Sequence, residues 1–266
     1  DSLAENHINE ICARAVANGI DVYNVLQAAC INPILHYKLN VGALKEGDFA
    51  DFIVAEDLIK FQIKQTYIDG ILLAENGQLV GDWVKPIDDK KSVNHFNCSF
   101  KKKENFVFPF NSQITEIPVI EALDGQLITN KLYLEPKVEH GNIVSDVTND
   151  VLKMVVVNRY HDAPIAISFV KNFGLKEGAI ASSVAHDSHN IIAVGVDDQS
   201  ICNAVNLVIK ETGAVVAIGN SKEDVLPLPV AGLMSNQNGH QVAERYTAID
   251  QFAKELIQKD KVEDIK

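Results

Sequence analysis

The stretch "GAIASSVAHDSHNIIAVG" places five polar residues between two apolar runs, and it holds the residues best suited to chemistry. His186 and His189 are three positions apart, Asp187 lies between them and Asn190 follows directly. A neutral imidazole both donates and accepts hydrogen bonds, which suits recognition of a nitrogen heterocycle. Functional side chains are common on loops that a rigid scaffold holds. We therefore expect these residues to form part of a site.

Two alternatives are open for the same stretch. Asp, Ser and Asn form turns by bonding the local backbone, so the histidines could simply flank a surface turn. The HDSH spacing could also supply two ligands of a metal site, but a complete site needs further ligands from elsewhere. Arg159, in "VNRYHDAP", is a separate candidate that could bind a carboxylate or stack on a ring, with a surface ion pair as its alternative role.

Composition limits the class of protein. The chain has 266 residues, is 47% hydrophobic and carries a formal charge of −12, which favours two globular units and argues against nucleic acid as a partner. Four scattered cysteines without a CxxC pair indicate a reducing compartment. No apolar run approaches the ~20 residues that cross a bilayer, and the first residues do not resemble a signal peptide. We expect a cytoplasmic protein that binds no membrane.

The first third of the chain changes from helical to strand periodicity. Apolar residues from Ile8 to Val16 predict a helix that Gly19 ends, and Asp21 caps a second helix that Pro33 should stop. "FQIKQTYIDGILLAENGQLV" then alternates around Asp-Gly and Asn-Gly, which predicts a meander of β-hairpins. Mixed charge, Pro and Asn afterwards predict a unit boundary near residue 90.

The remainder alternates strands and helices around the polar stretch. "EALDGQLITNKLYLEP" predicts a hairpin and "VLKMVVVNRY" a buried strand, while "PIAISFVKNFG" is compatible with a helix. Strands flank HDSHN, a helix follows over residues 198–212, "GAVVAIGN" is a strand and the chain closes on an amphipathic helix. These elements predict a mixed α/β fold of the α+β class.

Two longer segments resemble known families. The segment from "NHINEICARAVANGIDVYNV" through "INP" to "GALKEGDFAD" resembles the closing part of metal-dependent amidohydrolases. "NRYHDAPIAISFVKNFGLKEGAIASSVAHDSHNIIAVG", continued by "PLPVAGLMS", is similar to the C-terminal domain of bacterial adenine deaminases. The resemblance implies closing helices of a (β/α)8 barrel over residues 1–31, part of a β-sandwich over 32–90, and a layered α+β C-terminal domain over 91–266.

The same resemblance implies an activity and a set of roles. Members convert adenine and water to hypoxanthine and ammonia with a metal-activated water, so Mn or Fe is expected in the complete enzyme. The metal ligands lie upstream in such enzymes, and we expect an inactive C-terminal fragment that binds no metal by itself. His186, Asp187 and His189 become catalytic candidates, and Asn190 and Arg159 candidates for binding adenine. A homodimer is expected; the alternative is a non-catalytic binding or oligomerisation module.

Overall fold

The protein, seen in a computed structural model, is described over residues 7–81 and 93–257. These residues fall into two compact units, and we call 7–81 the first unit and 93–257 the second unit. Helices and strands are mixed in both, so the fold is mixed α/β. The boundary predicted near residue 90 lies outside the described residues. In these two ranges no helix combines the length and the apolar character that crossing a membrane requires.

The first unit opens on two helices where the sequence predicts them. α1 (Ile8–Ala17) is followed by Gly19 at φ 86°, a left-handed conformation that ends the helix. α2 (Val22–Leu26) begins after Asp21, whose carboxylate accepts hydrogen bonds from two backbone N–H groups of the first turn.

Pro33 does not stop the second helix, contrary to the sequence prediction. A π-helical turn, Gln27–Ile31, continues α2 directly into α3 (Asn32–Tyr37). Pro33 then occupies the first turn of α3, where its missing N–H would have no intrahelical partner in any case. The path ends at Lys38, which adopts a left-handed conformation with φ 51°.

The predicted meander follows as a four-stranded antiparallel sheet in the order β1-β2-β3-β4. Its strands are β1 (Phe52–Ala55), β2 (Ile63–Ile68), β3 (Ile71–Glu75) and β4 (Gln78–Leu79). Asp69 and Gly70, between β2 and β3, both have positive φ. A two-residue hairpin turn needs this conformation to match the right-handed twist of its strands.

The second unit contains eleven strands and two long helices, besides a 3₁₀ turn at Lys103–Phe106. The elements are β5 (Phe108–Pro109), β6 (Ile117–Ala122), β7 (Thr129–Leu134), β8 (Val138–Glu139), β9 (Asn142–Ile143), β10 (Val151–Val157), β11 (Ala166–Lys171), β12 (Ala179–Ser182), β13 (Ile191–Gly195), α4 (Asp198–Lys210), β14 (Ala214–Ile218), β15 (Glu223–Pro227) and α5 (Gly239–Glu255). Eight strands form one sheet in the order β15-β14-β12-β13-β10-β11-β6-β7, and β5-β9-β8 form a small second sheet.

α4 and α5 cover opposite faces of the eight-stranded sheet. Successive residues of a strand point to opposite faces, and along β10 Val155 packs in the α4 cluster while Leu152 packs in the α5 cluster. Ile201 and Phe252 are buried anchors of α4 and α5 in these two clusters. Both faces of the central strands are therefore apolar, which explains their near-continuous hydrophobic runs.

The segment "PIAISFVKNFG" forms strand β11 and not the helix with which its sequence is compatible. β11 pairs antiparallel with the preceding strand β10 and parallel with the distant strand β6, so hydrogen-bonded neighbours fill both of its sides. Tertiary pairing has overridden a weak local preference here.

Candidate functional site

The polar stretch forms the loop between two central strands. β12 and β13 pair antiparallel up to Ser182 and Ile192, and residues 183–190, which we call the histidine loop, connect them. Inside the loop the His189 N–H donates a hydrogen bond of 2.7 Å to the carbonyl of Ala185. Both ends of the loop are fixed by strands in the middle of the sheet.

Two side chains of the loop stand in solvent as a pair. The side chains of His186 and Asp187 are 93% and 91% exposed, and Nδ1 of the imidazole lies 2.7 Å from Oδ1 of the carboxylate. The centroid of the half-buried His189 ring lies 6.4 Å from that of His186. The loop thus presents an imidazole and a carboxylate together, with a second imidazole beside them.

Arg159 lies next to this loop because its strand pairs with β13. β10 runs antiparallel to β13 with Val157 opposite Ile191, so the same register continued by two residues places Arg159 opposite His189. The Arg159 backbone N–H donates to Oδ1 of Asn190 across 3.3 Å. Candidates from two separate sequence motifs therefore meet at the ends of neighbouring strands.

The Arg159 guanidinium is buried, since only 4% of the residue is exposed. Its Nη1 donates to the carbonyl of Ala231 at 2.7 Å, and its Nη2 donates to the hydroxyl of Tyr160 at 3.3 Å. Its Cζ lies 4.9 Å from the ring centroid of Tyr160 and 5.6 Å from that of Phe96. No carboxylate of the described residues forms a salt bridge with it, and its burial does not fit the alternative of a surface ion pair.

The motif "PLPVAGLMS", residues 227–235, packs at the same place, and we call it the proline segment. Besides the bond from Arg159 to Ala231, the hydroxyl of Ser183 donates to the carbonyl of Gly232 at 2.6 Å. Gly232 has φ +68°, and a Cβ there would overlap Nη1 of Arg159. Glycine is therefore required for this close approach. The proline segment therefore holds both Arg159 and Ser183, the first residue of the histidine loop, through backbone carbonyls.

Unsatisfied polar atoms concentrate around this cluster. Among the described residues, buried side-chain atoms without a hydrogen-bond partner are Oδ1 of Asn94, Nε of Arg159 and Nδ1 of His189. Asn94 belongs to the cluster because its Nδ2 donates to the carbonyl of Pro229 in the proline segment at 3.0 Å. Such atoms are rare, and function, strain or a bound water has to account for them. Their position supports a functional interpretation of the cluster.

The other polar residues of "VNRYHDAP" organise the turn after β10. Oδ1 of Asn158 accepts the N–H of His161 at 3.3 Å. Asp162 accepts hydrogen bonds from Nζ of Lys101 at 2.6 Å and from Oγ of Ser99 at 2.5 Å. These bonds, the one from Lys101 above all, hold the pKa of Asp162 well below its usual range. The Asp162 carboxylate therefore ties the turn after β10 to the segment that contains Ser99 and Lys101.

The cluster does not complete a metal centre with its own residues. Across residues 7–81 and 93–257 no group of three or more His, Cys, Asp and Glu side chains is arranged to hold a metal ion. The two imidazoles of HDSH would need ligands from outside the described chain, as three or four protein ligands are usual for zinc. What the loop can do by itself is hydrogen bonding and proton transfer through imidazole and carboxylate.

Sequence reasoning did not single out three residues that hold the site together. They are Tyr160, Ser183 and Gly232, which connect the histidine loop, Arg159 and the proline segment. Gly232 carried the only usable signal, as a glycine inside an extended segment often marks a close backbone approach.

Comparison with known proteins identifies the family. The adenine deaminase C-terminal domain family matches residues 126–263, which is more than half of the chain, and the amidohydrolase family matches residues 1–73. The resemblance stated from the sequence is thereby confirmed. The histidine loop, Arg159 and the proline segment all lie inside the longer match.

Curated relatives named "Adenine deaminase" come from Borreliella burgdorferi, Methanosarcina barkeri and Sulfurovum sp.. They are 41%, 43% and 44% identical to this chain over 259, 259 and 260 residues. The matches cover 97%, 95% and 97% of this chain but 46% of each relative, so the chain spans about half the length of the curated relatives it matches. The chain belongs to the adenine deaminase C-terminal domain family.

Proposed function

We propose that this chain is part of an adenine deaminase, which converts adenine and water to hypoxanthine and ammonia. The observation that carries the proposal is the succession of an amidohydrolase match and an adenine deaminase C-terminal match along one chain. Relatives that bear this name match nearly the whole chain at 39–45% identity, which supports the same activity. They are about twice as long, so the activity is proposed for a longer parent protein.

We propose the following assignment of domains along the chain. Residues 1–31 are closing helices of an amidohydrolase barrel, 32–90 are part of its β-sandwich, and 91–266 are a layered α+β C-terminal domain. α1 and α2 before the four-stranded meander support the first two assignments, and the packing of α4 and α5 on opposite sheet faces supports the third. A cytoplasmic location and a homodimer stay predictions.

For the chemistry, we propose that the histidine loop faces the adenine-binding region of the parent protein. His186 and Asp187 are exposed and paired, which suits transfer of a proton to or from a ring nitrogen or the leaving amine. His189 is the third catalytic candidate. Asn190 and Arg159 are the candidates for contact with adenine; Asn190 is half-buried and Arg159 buried, so Asn190 is better placed.

Amidohydrolase membership implies a divalent metal, Mn or Fe, in the complete enzyme. The described residues do not fit this group, because no sufficient set of ligating side chains converges among them. We therefore assign the metal ligands to the part of the parent protein that this chain does not include, and we derive no step through the metal from these residues.

A second candidate function is a non-catalytic binding or oligomerisation module. One observation favours it: the apolar clusters of the second unit consist of residues from that unit alone, so it has its own core. A self-contained core is what an independent module needs.

Ammonia release from adenine, with Mn²⁺ or Fe²⁺ supplied, tests the proposal. We compare this 266-residue chain with the full-length parent protein, each as wild type and as His186→Ala plus His189→Ala. His140→Asn is the matched control, because His140 is exposed in the turn between β8 and β9 of the small second sheet, and Asn tolerates its left-handed backbone. Only the full-length wild type and its control should be active, and the double substitution should lower kcat/KM by about a hundredfold.

Each contrary result has a distinct meaning. A full-length protein that releases no ammonia from adenine overturns the proposed activity. If the double variant is as active as wild type, the histidine loop is a structural turn. If a truncated parent that lacks residues from 91 onward keeps its kcat/KM but changes its oligomeric state, the second candidate is correct.

A further inference from the structure

The histidine loop contains two residues in a conformation that L-amino acids rarely adopt. Asp187 has φ 71° and His189 has φ 50°, and neither is glycine. Positive φ is unfavourable for residues with a Cβ, so the surroundings must hold the backbone there. The residue between them is Ser188, and a contact that holds its carbonyl restrains the peptide group that leads into His189 and limits the movement of Asp187 on the other side.

Tyr160 provides that contact. Its hydroxyl donates a hydrogen bond of 3.2 Å to the carbonyl of Ser188 and accepts one of 3.3 Å from Nη2 of Arg159. Since the phenolic oxygen accepts from a cation, it becomes a stronger donor towards the carbonyl. A chain of hydrogen bonds thus runs from the guanidinium to the centre of the loop.

The other end of this chain is rigidly held. The Arg159 backbone is bonded on both sides, because its N–H donates to Asn190 and its carbonyl accepts the N–H of Asn97 at 2.7 Å. Its Nη1 is bonded to Ala231, and the absence of a side chain on Gly232 lets the guanidinium lie against the proline segment. The guanidinium is therefore a fixed reference point for the loop.

We propose that Tyr160 is a positioning residue: its hydroxyl transfers the fixed position of Arg159 to the Ser188 carbonyl and so holds His186 and Asp187 in place for adenine. The catalytic part of this statement rests on the proposed function. Arg159 then acts through Tyr160, in keeping with a guanidinium that is buried in the domain and does not face solvent.

The test is Tyr160→Phe in the full-length parent protein, with Tyr133→Phe as matched control. Tyr133 lies on the edge strand β7 and is 57% exposed, so loss of its hydroxyl should change nothing. Tyr160→Phe keeps the ring and removes the hydroxyl together with both of its hydrogen bonds. We expect kcat to fall on the order of tenfold with KM within twofold, and amide hydrogen exchange of residues 186–190 to accelerate on the order of tenfold.

A double-mutant comparison separates positioning from a general structural effect. In a His186→Ala plus Asp187→Asn background, Tyr160→Phe should lower kcat no further, because the imidazole and the carboxylate that it positions are gone. Undiminished additional loss in that background overturns the proposal, as does unchanged loop exchange in Tyr160→Phe. If the wild-type parent has no activity on adenine, the proposed function fails, whereas the exchange measurement still decides whether Tyr160 holds the loop.

Discussion

The Nζ of Lys153 lies 2.5 Å from Oδ1 of Asp198, and the two side chains are 1% and 14% exposed. The ammonium also donates to the carbonyl of Phe106 at 2.9 Å. Lys153 belongs to β10, the strand that leads to Arg159, and Asp198 is the first residue of α4. The pair therefore ties the strand of the candidate site to the helix that covers it.

The two partners of this pair should not be equally costly to remove. Asp198→Ala leaves a buried ammonium with one carbonyl as partner and should lower the free energy of unfolding by about 3–5 kcal/mol. Lys153→Met should cost less, because the Asp198 carboxylate is partly exposed and lies at the positive end of the α4 dipole. Urea unfolding of the two single variants and the double variant measures this. Equal losses, or a double variant worse than Asp198→Ala, would contradict the expectation.

Gly232→Ala should be much more damaging than an alanine at another left-handed glycine. Gly125 has φ +64° with nothing within 4 Å of an added Cβ, so its substitution should cost about 1 kcal/mol of backbone strain. At Gly232 the Cβ would also displace Arg159, and overpacking raises the expected cost to about 2–5 kcal/mol. Chemical denaturation of both variants gives the comparison, and similar midpoints would show that the guanidinium can move aside.

Asp162 should stabilise the protein in a pH-dependent manner. Hydrogen bonds from Lys101 and Ser99 lower its folded-state pKa, so its contribution is present above the unfolded-state pKa of about 4 and is lost as the pH falls towards the folded-state value. The stability difference between wild type and Asp162→Asn should therefore shrink on acidification. Thermal unfolding between pH 3 and 7 measures it, and Lys101→Met should weaken the dependence. A difference that grows at low pH is the contrary result.

The helices of the first unit should be less protected than the central sheet when the 266-residue chain is studied alone. Ile8 and Ile11 on α1 are 51% and 55% exposed, whereas Leu152 and Val155 on β10 are at most 1% exposed. Amides of α1 should exchange at least about tenfold faster than those of β10, since few apolar contacts hold the helix. Equal protection in a monomer would be incompatible with this expectation.

Local sequence signals predicted the elements whose stability is local. The turn at Asp69-Gly70, the cap at Asp21 and the strands around the histidine loop were all recognisable from turn chemistry and periodicity. The strand β11 was not, because its pairing with β6 joins residues 50 positions apart. No local signal marked the π-helical turn before Pro33.

The sequence identified candidate residues of the site, but it did not predict that they lie close together. His186, His189 and Arg159 were recognisable as candidates, but their proximity depends on β10 pairing with β13 across two intervening strands of the sequence. Lys153 reads as a charge within a buried strand, and nothing near it in the sequence identifies Asp198 as its partner. Single-residue patterns cannot encode which strands become neighbours.

The pairing of β6 with β11 is the only parallel one in the described part of the eight-stranded sheet, and it joins residues 50 positions apart, as in Val119 opposite Phe169. The β6–β7 hairpin closes locally, but its attachment has to wait for this distant contact, which makes it a late step in folding. Because the hairpin lies at the far edge, its release would leave β10, β12 and β13 paired and the histidine loop in place.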